Sequence, residues 1–150
     1  MNAAYINPFL ASTTGVFETM LGVEVKHEAP FFRRSFVPQY EVTGIIGLSG
    51  NKTGTVAVSL PREMAVMVTE KLLGERPTEI DAQVADAVGE LTNMIAGAAK
   101  AQLPELQLSL GLPTVIAGND AAIAFPSRTT PLSLPFTSEY GPLTVEVGIA

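Results

Sequence analysis

Cysteine and tryptophan are absent from this 150-residue chain, and histidine occurs once. Without cysteine there is no disulfide and no thiolate metal site, a composition that suits a reducing cytoplasm. Positive charge is scarce as well. Nine Lys and Arg stand against fifteen Asp and Glu, for a net charge of −6. No basic cluster exceeds Arg33-Arg34, which argues against nucleic acid and anionic membrane surfaces as partners. The N-terminus lacks a basic segment followed by an apolar one, and no apolar run approaches ~18 residues. Neither a signal peptide nor a membrane span is expected, and the chain reads as cytoplasmic. What is abundant is apolar: 47% of residues are hydrophobic and only 16% charged, the balance of a folded chain rather than a disordered one. At this length a single domain over residues 1–150 is the simplest organisation.

Proline and glycine punctuate the chain. Residues 8–21 predict a helix with Asn7 as N-cap, Pro8 at the first helical position and Gly22 after the end. Residues 23–28 alternate and predict a short strand, followed by a loop over 29–38. Residues 40–48 and 53–60 are β-rich and joined by Ser49-Gly50-Asn51-Lys52, a hairpin signal. Pro61 opens a second helix to about Leu73, closed by Gly74. A longer helix runs over about 79–102 and stops before Pro104. Residues 112–118 and 121–125 predict a strand pair around Gly118-Asn119-Asp120, and 132–140 with 143–149 a second pair turning at Gly141-Pro142. This order predicts an α+β fold with a mainly antiparallel sheet packed with long helices. A weak two-half repeat is visible. Thr55-Val-Ala-Val-Ser-Leu60 echoes Thr144-Val-Glu-Val-Gly-Ile149, and Phe17-Glu-Thr-Met-Leu21 echoes Leu91-Thr-Asn-Met-Ile95. The second alignment sets Ser12, Val16 and Thr19 where Asp86, Glu90 and Asn93 stand.

Within the long helix, Asp86, Glu90, Asn93 and Gly97 recur at i, i+4, i+7 and i+11. At about 100° per residue they share a roughly 60° arc, with Val84, Val88, Leu91, Ile95 and Ala99 on the opposite side. Solvated faces of amphipathic helices commonly carry such residues. A mid-helix Asn, however, costs a few tenths of a kcal/mol, and Gly89 and Gly97 up to about 1 kcal/mol each relative to Ala. A helix carrying these is either tightly packed there or leaves room for something to approach.

Asp86-x-x-x-Glu90-x-x-Asn93 resembles the motif of the CheC/CheX family of chemotaxis phosphatases, an acidic residue or serine followed by Glu and Asn. The opening Asn7-Pro-Phe-Leu and Val16-Phe-Glu-Thr-Met-Leu-Gly22, and the helix–strands–helices–strands order, are similar to CheX along essentially the whole chain. The single Glu-x-x-Asn site matches CheX rather than CheC, which typically has two. Pro113 is the nearest counterpart, slightly early, of the family's downstream proline. The resemblance implies the CheC/CheX-like fold and hydrolysis of the aspartyl phosphate on a CheY-like response regulator. Such an enzyme mainly has to place a water in line with phosphorus. An amide can orient a water without being a strong base, which gives that role to Asn93. Glu90 would anchor by pairing with the regulator's active-site lysine. Asp86 would extend this contact or be solvated, and Gly97 would let the partner backbone approach. The protein would need no cofactor of its own, because in this family the Mg2+ belongs to the phosphorylated receiver domain. CheX-like proteins are homodimers. The alternative, from a different class, is a non-catalytic module of the same fold that docks a signalling partner.

Other motifs carry less. His27 lacks the partners a triad or metal site needs. Gly44 to Thr53 is faintly similar to a phosphate-binding loop, but the next element is a strand and not a helix N-terminus. It reads as a hairpin. Arg33-Arg34, flanked by Phe31, Phe32 and Phe36, predicts aromatics tucked onto the core beside solvated arginines. The Met64/Met67/Leu72 spacing is ordinary helix packing.

Overall fold

A computed structural model describes residues 2–33, 35, 37–118, 122–126 and 129–150. Along the chain the elements are α1 (Ile6–Val16), β1 (Lys26–His27), β2 (Phe31–Phe32), β3 (Val42–Ser49), β4 (Gly54–Leu60), α2 (Arg62–Leu73), α3 (Ala82–Ala101), β5 (Ser109–Leu110), β6 (Thr114–Ala117), β7 (Leu132–Ser138) and β8 (Gly141–Ile149). The chain enters α1 through a 3-10 turn, Ala3–Tyr5, and leaves it through a π turn, Phe17–Leu21.

All strand pairs are antiparallel, and the sheet runs β1-β7-β8-β4-β3-β5, with β2 also on β7 and β6 also on β3. Successive residues of a strand point to opposite faces. One face therefore carries Val56, Val58 and Leu60 of β4 with Val145, Val147 and Ile149 of β8, all inside the core built with the helices. Thr43, Ser59, Ser133, Thr144 and Glu146 lie on the other face and are buried as well. On that face, Phe125 and Thr129 lie where a side chain on Gly148 would meet them. The sheet thus has an apolar face under the helices and a polar face against which Phe125 and Thr129 lie.

The strand order is palindromic: two hairpins side by side at the centre, and two short strands at each outer edge. The centre explains the sequence repeat. Aligning Thr55 with Thr144 also aligns Ala57 with Glu146, and these two residues are direct neighbours in the β4–β8 register. Equivalent residues that pair with each other lie on a local two-fold axis. Each half lends its edge strands to the other: β1 and β2 pair with β7, while β5 and β6 pair with β3.

Several expectations are corrected in detail. The first helix starts earlier, because Asn2 rather than Asn7 caps the entry, its side chain accepting from the Ala4 N–H at 2.9 Å. The strand expected over 23–28 shrinks to two residues, although Val23 and Val25 are buried and Glu24 and Lys26 exposed as the alternation requires. Phe31 and Phe32, expected in a loop, add to β7. Pro135, with no N–H to give, sits where β1 hands over to β2, and its carbonyl accepts from Glu28 N–H at 2.9 Å. The strand over 112–118 exists as β6 but pairs with β3, not with 121–125. Residues 122–125 form no strand, and the turn residues Asn119 and Asp120, with Ala121, lie outside the described residues. The β7–β8 turn is Glu139-Tyr140, before Gly141 rather than at Gly141-Pro142.

The aromatic–arginine segment is inverted. Phe31 and Phe32 are 50% and 61% exposed, whereas Arg33 is 15% exposed and bonds the fully buried Glu146 at 2.8 Å. The paired residue is 113 positions away. Arg34 and Phe36 lie outside the described residues.

Candidate functional site

The candidate helix begins at Asp81, whose carboxylate accepts from the backbone N–H groups of Gln83 (3.0 Å) and Val84 (3.2 Å). Such a cap stabilises a helix by about 1 kcal/mol. From there α3 buries Val84, Ala87, Val88, Leu91, Ile95 and Ala99 against α1, α2 and the sheet. That burial fixes the rotation of the helix. Asp86 and Glu90 are exposed on the opposite side, and Asn93 and Gly97 are half-buried beside them. The phase read from the periodicity is the phase observed. Along the axis the four span about 16 Å at 1.5 Å per residue.

Beside this face stands a wall that periodicity does not reveal. Residues 110–115 run along one flank of α3. A side chain at Gly89 would meet Pro113 Cγ and Val115 Cγ2 at 3.6 Å, and one at Gly97 would meet Leu110 Cδ1 at 3.8 Å. The two glycines expected to mark the face therefore differ. Gly89 is buried and floors a cleft lined by Ala85, Asp86, Glu90, Pro113 and Val115, while Gly97 floors a second cleft nearer the helix end. Asn93 stands between the two. Pro113 was legible as a motif position, but its place beside Gly89 follows from β6 pairing with β3, a contact distant in sequence.

Among the described residues, Asp86, Glu90 and Asn93 have no side-chain hydrogen bond or ion pair with the rest of the chain. No described residue holds them. A carboxylate and an amide one turn apart, free and facing outward from a capped and buried helix, can bind an external cation and orient an external water. No group of three or more His, Cys, Asp or Glu that could hold a metal occurs among the described residues, and no helix there is long and apolar enough to cross a membrane.

The other half carries a cleft in the corresponding place, lined by Asn7, Leu10, Ala11, Thr14, Gly15 and His27. This corrects the expected helix alignment. Ser12 and Val16 are buried and cannot be the counterparts of exposed Asp86 and Glu90. Matching the clefts instead equates Leu10, Ala11, Thr14 and Gly15 with Ala85, Asp86, Gly89 and Glu90. The π turn at Phe17–Leu21 inserts one residue after them. Beyond it the alignment of Leu21 with Ile95, both buried, holds as read from the sequence. The first helix thus has Ala11 and Gly15 where α3 has its two carboxylates. His27 is exposed on β1 at the cleft's edge, Met64 and Met67 are in the core, and Gly50 belongs to the β3–β4 hairpin.

Comparison with known proteins agrees with this architecture. The family model described as chemotaxis phosphatase CheX matches residues 42–137. The CheY-P phosphatase CheX of Thermotoga maritima is 28% identical over 126 residues, covering 82% of this chain and 81% of that protein. The crystal structure of the chemotaxis protein CheX from Desulfovibrio desulfuricans superposes with a TM-score of 0.88 at 31% identity, over 98% of this chain and 99% of that one. The CheX–CheY–BeF3–Mg2+ complex from Borrelia burgdorferi gives a TM-score of 0.81 at 27% identity, over 97% of each chain. With the fold, the repeat and the family model in agreement, the chain belongs to the chemotaxis phosphatase CheX family.

Proposed function

We propose that this protein dephosphorylates the aspartyl phosphate of a CheY-like response regulator, with Asn93 as the residue that positions the attacking water. The observation that carries the reading is the shared open face of Glu90 and Asn93, free of side-chain partners among the described residues, on a helix whose rotation the core fixes. The Asn93 carbonyl accepts a hydrogen bond from the water, and its NH2 donates to a phosphoryl oxygen. Attack in line with the acyl oxygen then breaks the P–O bond, releasing inorganic phosphate and the free carboxylate. Glu90 sits beside a negatively charged phosphoryl group, where a carboxylate is a poor base and a good anchor. It pairs with the receiver's active-site lysine. Asp86 extends that contact, and Gly97 admits the partner's backbone. The Mg2+ is held by the receiver, in keeping with a related CheX having been crystallised with CheY, BeF3 and Mg2+. The protein acts in the cytoplasm as a homodimer, a state that light scattering measures directly.

The test is the lifetime of phospho-CheY with wild type and with Asn93→Ala. The variant should lose acceleration by about a hundredfold or more, about 3 kcal/mol of barrier, and keep its fold and its affinity, because the side chain has no internal partner. Retained acceleration in Asn93→Ala would sink the assignment. Glu90→Lys should weaken docking without altering stability; unchanged affinity removes Glu90 from the interface. A wild type that binds CheY without shortening the phosphate's lifetime would leave docking alone as the function.

A further inference from the structure

We infer that Lys100, with the apolar groove it borders, fixes the direction and register in which the receiver domain lies along α3. The inference rests on the proposed phosphatase reading and adds a specificity element to it. Lys100 follows Asn93 by seven residues, so it falls about 20° from Asn93 around the helix and about 10 Å further along it. It is exposed and has no ion-pair partner among the described residues. The outward face therefore reads acid, acid, amide, gap, base, with Glu90 and Lys100 about 15 Å apart along the axis.

The groove beside Lys100 is floored by Gly97 and Ala101 and walled by Leu103, Leu108 and Leu110. It is preformed. The Asn51 N–H donates to Leu106 O at 2.9 Å and Asn51 Nδ2 to Glu105 O at 3.0 Å, so the β3–β4 hairpin holds the turn that forms the wall. Gly50 lies so close to the Gln107 carbonyl that no side chain fits there. Further along, Gly111 N–H donates to Gly47 O at 2.9 Å. A groove held in this way needs little ordering on binding.

Its occupant is set by continuity and charge. Gly97 belongs both to the Asn93 face and to the groove, so a receiver seated on the first also covers the second. Glu90 must meet a cation and Lys100 an anion. Reversing the receiver would set like charges against each other at both ends. The receiver accordingly places an apolar side chain in the groove with a carboxylate beside Lys100, about 10 Å along the helix from the phosphoryl group. Lys100 also lies in the last turn of α3, where a cation favours the helix C-terminus. That role acts on stability, not on docking, and the two separate experimentally.

The experiment uses CheY activated with beryllofluoride and Mg2+ for affinity, phospho-CheY for KM and kcat, and the thermal midpoint of each variant. Lys100→Glu should weaken binding about tenfold at low ionic strength, less so as salt rises, and Lys100→Arg should bind as wild type. The loss should fall on KM rather than kcat, the reverse of Asn93→Ala. Gly97→Leu, which fills the groove, should also weaken binding. Wild-type affinity in both Lys100→Glu and Gly97→Leu, with an active wild type, overturns the inference. So does a weakening that Lys100→Arg shares or that tracks a fall in thermal midpoint. A wild type with no effect on phospho-CheY overturns the phosphatase reading itself, and this inference with it.

Discussion

Glu146 sits on the local two-fold axis with one oxygen bonded to Arg33 and the other, Oε2, without a hydrogen-bond partner among the described residues. Burial pushes its carboxyl above the ordinary range, and the Arg33 hydrogen bond and charge pull it only partly back. The folded chain thus holds this proton to a higher pH than the unfolded chain does. The carboxyl's contribution to stability is full below the unfolded pKa and declines as pH rises through the folded one. Urea denaturation of wild type and Glu146→Gln across pH 4 to 8 measures this as a difference. The balance should move against wild type as pH rises, and a difference that is constant or moves the other way would remove desolvation as the dominant effect. None of this was legible in the sequence. Arg33 read as solvated because nothing local marks a partner 113 residues away, and Phe31 and Phe32 read as buried because hydrophobicity does not reveal a two-residue edge strand that is exposed on both faces. Asn93 and Glu90 were legible, because helical periodicity alone orients them and a long, capped, Pro-free helix obeys it.

At the scale of elements, the seat of α3 on the sheet depends on one missing side chain. A Cβ on Gly44 of β3 would collide with Thr92 Oγ1 and stand 3.3 Å from the Val88 carbonyl. Thr92 Oγ1 itself donates to Val88 O at 2.8 Å. Gly44→Ala should therefore destabilise the protein by about 1–3 kcal/mol, the range for overpacking a core. Thr92→Ala should recover part of that loss in the double variant, since it removes the colliding hydroxyl and leaves the closer-than-usual contacts with the residue 92 Cβ at 3.1 Å and the Val88 carbonyl. A double-mutant cycle measures the coupling. Additive losses would mean that the sheet and helix slide apart instead. Helices α2 and α3 and both hairpins were legible to within a few residues, because caps, prolines and glycines mark their ends. The edge strands were not. Two residues carry no periodicity, and β6 shows its partner only through the register that places Thr114 opposite Ile45.

The whole molecule is two halves that each complete the other's sheet, as β1 and β2 lie on β7 and β5 and β6 lie on β3. Neither half can lose its edge strands without exposing the other's hairpin, so the chain should unfold in one step. Far-UV and near-UV circular dichroism should give coincident urea transitions. Two resolved transitions would show that the halves are independent despite their exchanged edges. The same architecture bears on α1. Introducing Ala11→Asp and Gly15→Glu would build a carboxylate pair, but the position corresponding to Asn93 falls within the π turn, whose wider winding replaces the regular α geometry there. Carrying the proposed site over to α1 would therefore take the deletion of a residue from Phe17–Leu21 as well as the two substitutions.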